Sequence, residues 1–487
     1  MLFRSTMRPH VFIPFGEWKP DAAALNSDGV ISCENLIVNA DMYFPFPGLS
    51  VFGITSIADN IQGATIAASY VGGYYNFYGV TSSIFQLISG TLTNVTRAGV
   101  SGQYSTSANA IWDFCQFGEQ VIATNGTDRL QTLTLGAVAF TNLAGGSFAA
   151  KTVAAVRDFV VAGNIIDDTY SVGAVASAQR IRWSGINNPA TWTADPATLA
   201  DFQDLAGEGG AIQKIIGGEY GVVLQRRAIF RMTFVGSPLV FQFDRAENNI
   251  GAMNQASVVS YKNMIFFLSD TGFFSFNGVR AKPIGQGKVD KKFFSSVDTT
   301  KISQVQGFVH PTEPVVGWSW PSTADAAPTA TRFLMYNWAF DKWTQVSGIT
   351  AFDNISTHIS AGGVAGYLTL AIHPTAARIS RFKAATALTA IIATAELQLI
   401  DGQRAMITEL RPRISGLSVS IAAQVLVRSS FQTALSTGPS VVMGSSGSVM
   451  TRSEGRYHTI RMTIVQGTQK WENLQGVEVY ASPTGDR

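Results

Sequence analysis

The chain has 487 residues, a formal net charge of +2, 14% charged residues, 46 glycines and two cysteines. That length exceeds what a single hydrophobic core fills, so several domains or one repetitive architecture is required. The near-neutral charge argues against general attraction to nucleic acid, two cysteines make no disulfide framework, and no stretch reaches the roughly 18 apolar residues of a membrane helix. Cys33 and Cys115 read as free thiols of a chain that folds in a reducing compartment. Charged residues fall well below the usual figure of about 25%, and the apolar excess points to protein–protein contacts in a large oligomer.

Residues 1–60 are rich in proline and aromatics and are expected to form an extended arm laid over a partner or a neighbouring unit. Pro14, Glu17 and Asp21 interrupt the apolar core that a secretion signal would need. From about residue 61 strands begin, first as a meander over 64–89 broken at Gly72-Gly73. A strand–turn–strand unit then recurs at 119–134, 158–172, 219–235, 263–279 and, more loosely, 332–347. The copies start roughly 40 to 70 residues apart, which is the scale of propeller blades.

An all-β fold is therefore expected: a β-propeller of six to eight blades over 61–385, followed by a C-terminal β domain over 386–487. In the latter, 397–414 reads as a hairpin turning at Asp401-Gly402, and 418–430 and 455–465 alternate with period two. Together these strands suit a small β-sandwich.

Reactive chemistry is hard to find. His10, His310, His358, His373 and His458 stand singly, and no paired-ligand or nucleophile-elbow spacing occurs. Gly285-Gln286-Gly287-Lys288 lacks phosphate-loop spacing and reads as a turn between blades. Basic clusters at 225–227, 288–292 and 411–413 read as solvated turns. Ser269-Asp270-Thr271-Gly272 is an incomplete match to the Asp-box of sialidase-type propellers, and Asp167-Asp168 reads as a polar turn. The most distinctive string is 180–205, a strand that exits into a long loop pinned by two indoles.

That string carries Arg182-Trp183-Ser184, Asn188-Pro189 and Trp192, then Asp201 to Leu205. With the hairpins at 222–235 and 266–279, Gly455-Arg456-Tyr457-His458 and Gln475-Gly476-Val477, it resembles the tail nozzle proteins of short-tailed bacteriophages. That family is also called tail tubular protein B or packaged-DNA stabilisation protein. The similarity runs in order along roughly 60–485. It implies a structural virion protein: a homohexameric ring that extends the DNA channel, retains packaged genome and conducts it during ejection. The implied partners are a tail adaptor ring above, a tail fibre, needle or tip protein, double-stranded DNA passing without sequence specificity, and the host envelope at ejection. It also implies assembly in the host cytoplasm and residence in the phage tail. Arg182, Trp183, Asn188, Pro189, Trp192, Gly455, Tyr457 and Gly476 are carried over as structural positions, with no catalytic residue, cofactor or metal. The 180–205 loop and the arm are expected to touch neighbouring copies. The alternative is a propeller that binds a surface glycan or receptor, and a polysaccharide-degrading enzyme is the third reading.

Overall fold

The computed structural model describes residues 10–485, except 24, 26, 52–58, 89–90, 99–102, 168–176, 326–328, 359–367, 374–377, 417–418 and 466–470. Short strands alternate with tight turns throughout, and one seven-residue α-helix, Asp290–Ser296, and one 3-10 helix, Thr299–Gln304, interrupt them. Residues 61–94, 113–142, 149–204, 212–248 and 259–283 each fold into a four-stranded antiparallel sheet, blades 1 to 5 in chain order. Residues 306–346 form blade 6. Residues 355–387 supply three strands of blade 7, and its fourth is Pro47–Val51 from near the N-terminus. First strands lie side by side around an axis from blade 1 to blade 4 and from blade 5 to blade 7, and that of blade 7 reaches that of blade 1, while blades 4 and 5 meet through a shared apolar cluster. The fold is a seven-bladed β-propeller whose ring is closed by an N-terminal strand.

Burial explains the blades. Middle strands such as Gly221–Gln225, Gly272–Phe276 and Phe333–Asn337 are buried along their whole length, since both faces pack on adjacent blades. Outer strands such as Thr91–Asn94 and Asp201–Asp204 are mostly exposed. The buried apolar residues fall into seven clusters, one at each blade-to-blade interface. The recurring hairpin of the sequence supplies the second and third strands of blades 2, 4 and 5; in blade 3 the copy at 158–172 contains the second strand alone, Phe159–Asp167, and its remainder lies outside the described residues. In blade 6 it is shifted outward, so 332–347 forms the third and fourth strands, Phe333–Asn337 and Lys342–Val346. In blade 3 residue 167, expected in a turn, is instead strand, because Asp167 lies opposite Ala149 of the first strand.

The second unit is a sandwich woven from both ends of the chain. One sheet contains Leu36–Asn39, Met42–Pro45, Trp471–Gly485, Arg404–Gly416 and Val449–Gly455, with His10–Pro14 added onto Trp471–Gly485. The other runs Val30–Glu34, Ala390–Thr394, Tyr457–Ile464, Ile421–Arg428 and Ser436–Val442. Residues 10–45 are thus four strands of this sandwich, and the expected extended arm is corrected accordingly: its apolar residues find partners more than 300 positions away. The expected hairpin at Asp401-Gly402 is corrected too. Gly402 does turn with φ of 70°, but Leu397 bridges to His458, while Arg404–Gly416 pairs with Trp471–Gly485.

Propeller and sandwich share one sheet and one core. Lys342–Val346, the outer strand of blade 6, meets Val30–Glu34 in parallel at Gln345 and Glu34, which makes a nine-stranded sheet. Asn35 binds the joint from three sides: its N–H donates to Gln345 O, its amide donates to Thr389 O, and its Oδ1 accepts from Ser347 N. Beneath it a single apolar cluster runs from Phe273, Trp318 and Trp343 of the propeller to Cys33, Ile460 and Trp471 of the sandwich.

Candidate functional site

The eight positions singled out by the sequence do not converge on one site. Five form a knot beside blade 3. Arg182 lies on the strand Ser177–Trp183, is buried, and donates to Trp192 O at 2.9 Å while its guanidinium covers the Phe148 ring at 4.3 Å. Trp192 also packs edge-on against Phe148 and donates its indole N–H to Pro189 O at 2.7 Å. Asn188 braces the turn by accepting from Ala190 N and donating to Thr191 Oγ1. Trp183 is buried between blades 3 and 4, donates to Leu199 O and meets Phe241 edge-on. Every polar group here is spent inside the chain, and both indoles are only 1–2% exposed. These two indoles fasten the loop to its own propeller.

Gly455, Tyr457 and Gly476 lie in the sandwich. Gly455 ends a strand where a Cβ would press on Val427 at 2.9 Å, and Tyr457 packs on Phe431 with ring centroids 4.4 Å apart. Gly476 lies opposite Pro14, and a Cβ there would overlap the Ile13 carbonyl and the Phe12 ring. Glycine at 476 is what lets the N-terminal strand close onto the sheet.

Several charges of the basic clusters are matched within the chain. Arg226 pairs with Asp270 at 2.8 Å, which ties blade 4 to the turn of blade 5 that carries the Asp-box-like residues. Lys288 pairs with Glu17 at 2.8 Å and Asp341 at 3.2 Å, and Arg413 pairs with Glu478. Gly285 to Lys288 is a turn whose Gly285 carbonyl accepts from Lys288 N and Val289 N, just before the short helix. His10 stacks on Tyr480, His310 Nδ1 accepts from Glu313 N, and buried His458 contacts Ala405 O. Burial lowers the pKa of His310 to about 4 and lowers that of His458. The side chains of His358 and His373, and all of Asp168, lie outside the described residues. Among the described residues no three His, Cys, Asp or Glu side chains are grouped to hold a metal ion.

Among the described residues, one concave feature built from many blades is the axial mouth, a cavity of about 310 Å³ where the first strands begin. Asp113 of blade 2 and Lys214 of blade 4 form an ion pair on one wall of it. Asp113 also accepts from Thr152 Oγ1 at 2.6 Å and Val153 N at 3.1 Å, so blades 2, 3 and 4 are joined at one carboxylate. Lys151, whose pKa burial lowers with help from Arg226, donates to Gln213 Oε1, and its carbonyl accepts from Gln255 of blade 5. On the far wall Gln306 of blade 6 donates to Asp353 O and accepts from Asn354 of blade 7. Asp353 accepts from Ile61 N of blade 1 at 2.8 Å. Burial raises its pKa to about 7, the Ile61 N–H opposes the rise, and Asp59 adds to it.

Each blade thus delivers a carboxylate, ammonium or amide at the start of its inner strand. Sequence reading passed over this girdle because it followed the second and third strands. The signal was present in five of the blades as a polar residue at or just before the first strand, at Gln62, Asp113, Gln213, Gln255 and Gln306.

No protein-family model matches the chain, and no curated protein matches it in sequence. Solved structures similar to it include BamB from Moraxella catarrhalis, at 11% identity over 72% of this chain and 93% of that one, with a TM-score of 0.38. The Cps50 (Swd1) β-propeller domain of Myceliophteria thermophila is similar at 7% identity over 69% and 99%, with a TM-score of 0.42. YCF48 bound to D1 peptide is similar at 10% identity over 72% and 98%, with a TM-score of 0.40. The propeller assignment itself rests on the sheet order and blade packing described above.

Proposed function

We propose that this chain is the subunit of a homohexameric tail nozzle ring of a short-tailed phage, a structural protein that lengthens the DNA channel and holds the genome until ejection. The sequence resemblance supports the ring and its place in the tail. The structural observation that carries the reading is the joint: one sheet and one apolar core run from blade 6 into the sandwich. Such a subunit transmits force as one stiff body, which suits a wall that resists pressurised DNA. The propeller axis is not taken as the conduit, because its mouth is a cavity of only about 310 Å³ between inner strands that are tied to one another at Asp113. DNA passes instead through the space that six copies enclose. A wall of low net charge does not accumulate phosphate contacts that would retard passage.

Sedimentation with electron microscopy of the purified chain tests this. The expected particle is a ring near six times 52.2 kDa, alone or on an adaptor ring. A chain that stays monomeric in concentrated solution and does not assemble on an adaptor overturns it.

A further inference from the structure

Residues 16–22, which follow the first sandwich strand, cross onto the propeller at the short helix Asp290–Ser296. That helix starts after Val289, whose side chain caps nothing. The cap comes instead from Asp21, whose two carboxylate oxygens accept from Lys291 N at 2.7 Å and Lys292 N at 2.8 Å. The Asp21 N–H in turn donates to Lys288 O at 3.1 Å. A residue 270 positions away in the chain thus satisfies two N–H groups that the helix leaves open.

A second carboxylate stands in the same turn. Asp290 is half-buried, accepts from Phe273 N at 3.1 Å and fills a notch that two glycines leave open. A Cβ at Gly272 or Gly285 would stand only 2.2 Å or 2.0 Å from its oxygens. The charges around it are already engaged. Lys288 pairs with Glu17 and Asp341, Lys19 pairs with Glu17, and Asp270 of the neighbouring turn pairs with Arg226 and Arg227. Asp28, Lys291 and Lys292 are exposed, and among the described residues no cation pairs with Asp290. Two carboxylates therefore crowd one helix start, and they repel when both are ionised.

Burial raises the Asp290 pKa from 3.8 to about 6; the Phe273 N–H opposes the rise and Asp21 adds to it. Undocking the loop removes Asp21 and wets Asp290, so the undocked form gives up the proton more readily. Docking is thus strongest below about pH 4 and weakens as pH rises through 6. Phe15 and Trp18 stay in the shared core, which keeps the loosening local.

We propose that residues 16–22 and the helix Asp290–Ser296 form a pH-operated latch between sandwich and propeller, closed when Asp290 carries a proton and loosened when it does not. The latch holds independently of the nozzle proposal, whose test is assembly.

Hydrogen exchange with mass spectrometry of the full-length chain tests it at the Lys291 and Lys292 amides, which donate to Asp21. After correction for the intrinsic pH dependence of exchange, protection of peptides covering 289–296 should fall about threefold or more from pH 5 to pH 7.5. Asp290→Asn should keep high protection at both pH values. Asp21→Asn, which retains one acceptor and removes the repelling charge, should also abolish the fall, and it covers the case in which the first variant does not fold. Asp353→Asn should leave the fall in place, which separates the latch from the other titrating carboxyl. Equal protection at both pH values in the wild type overturns the proposal. A fall that survives undiminished in Asp290→Asn, or one that vanishes in Asp353→Asn, overturns it as well.

Discussion

The propeller and the sandwich solve the same problem in opposite ways. Each must pair exposed sheet edges and cover apolar faces. The propeller does so by near-local repetition: six blades are contiguous in sequence, and each packs on its chain neighbours. The sandwich does so by long-range exchange, with strands from residues 10–45 paired onto strands from 390–485. A repetitive ring distributes its stability over seven interfaces, so damage to one is partly contained. In the sandwich the N-terminal segment contributes strands to both sheets. Loss of that one segment dismantles the whole unit.

Deletion of residues 10–45 tests this contrast most severely. It removes four sandwich strands and strips Trp471, Leu474 and Ile392 of packing. The expected outcome is an unfolded C-terminal region cut quickly in limited proteolysis, with blades 2 to 4 still protected; equal loss of both units would dissolve the distinction. Next in size are single indole deletions within the ring. Trp183→Ala and Trp192→Ala should each cost about 3–5 kcal/mol in urea unfolding while leaving the sandwich protected from proteolysis.

The third prediction turns on pH. Asp353 has its pKa raised from 3.8 to about 7 by burial. The folded chain therefore keeps a proton that the unfolded chain releases. The stability from this group is full below about pH 4 and is lost as pH rises through 7, by about 4 kcal/mol at most. Thermal melts at pH 5 and pH 8 should show this fall in the wild type, and a much smaller one in Asp353→Asn. An unchanged difference would show that the carboxyl is not held neutral. The smallest effect belongs to the sandwich: Gly476→Ala should cost about 1–3 kcal/mol by overpacking against Ile13 and Phe12. It should release the N-terminal strand to proteases before any other segment.

The propeller was readable because its hairpins are local: Met264–Ser269 and Gly272–Phe276 are separated by two residues, so pattern and turn chemistry lie in one window. The woven sandwich was not. His10–Pro14 and Met42–Pro45 contain prolines and aromatics that mimic an unstructured arm, and their partner strand begins at Trp471. Asp401-Gly402 announced a hairpin in good local terms, yet pairing with Trp471–Gly485 prevailed because it buries Ile407 and Leu410. Of the candidate positions, the indoles and turn residues of 180–205 were read correctly as a pinned loop. The meeting of blades 2, 3 and 4 at Asp113 could not be read at all, since a contact between inner strands is a property of assembled blades.

The ring-closing strand has a consequence for synthesis. Val51 pairs with Ser380, and Asn35 donates to the Thr389 carbonyl 354 residues away. A ribosome releases the strands of 10–51 more than 300 residues before their partners. Those strands must therefore wait, edges unpaired, while the intervening blades are made. Blades 2 to 5 can form as they emerge, while the sandwich and the closure of the ring both wait for residues beyond 378.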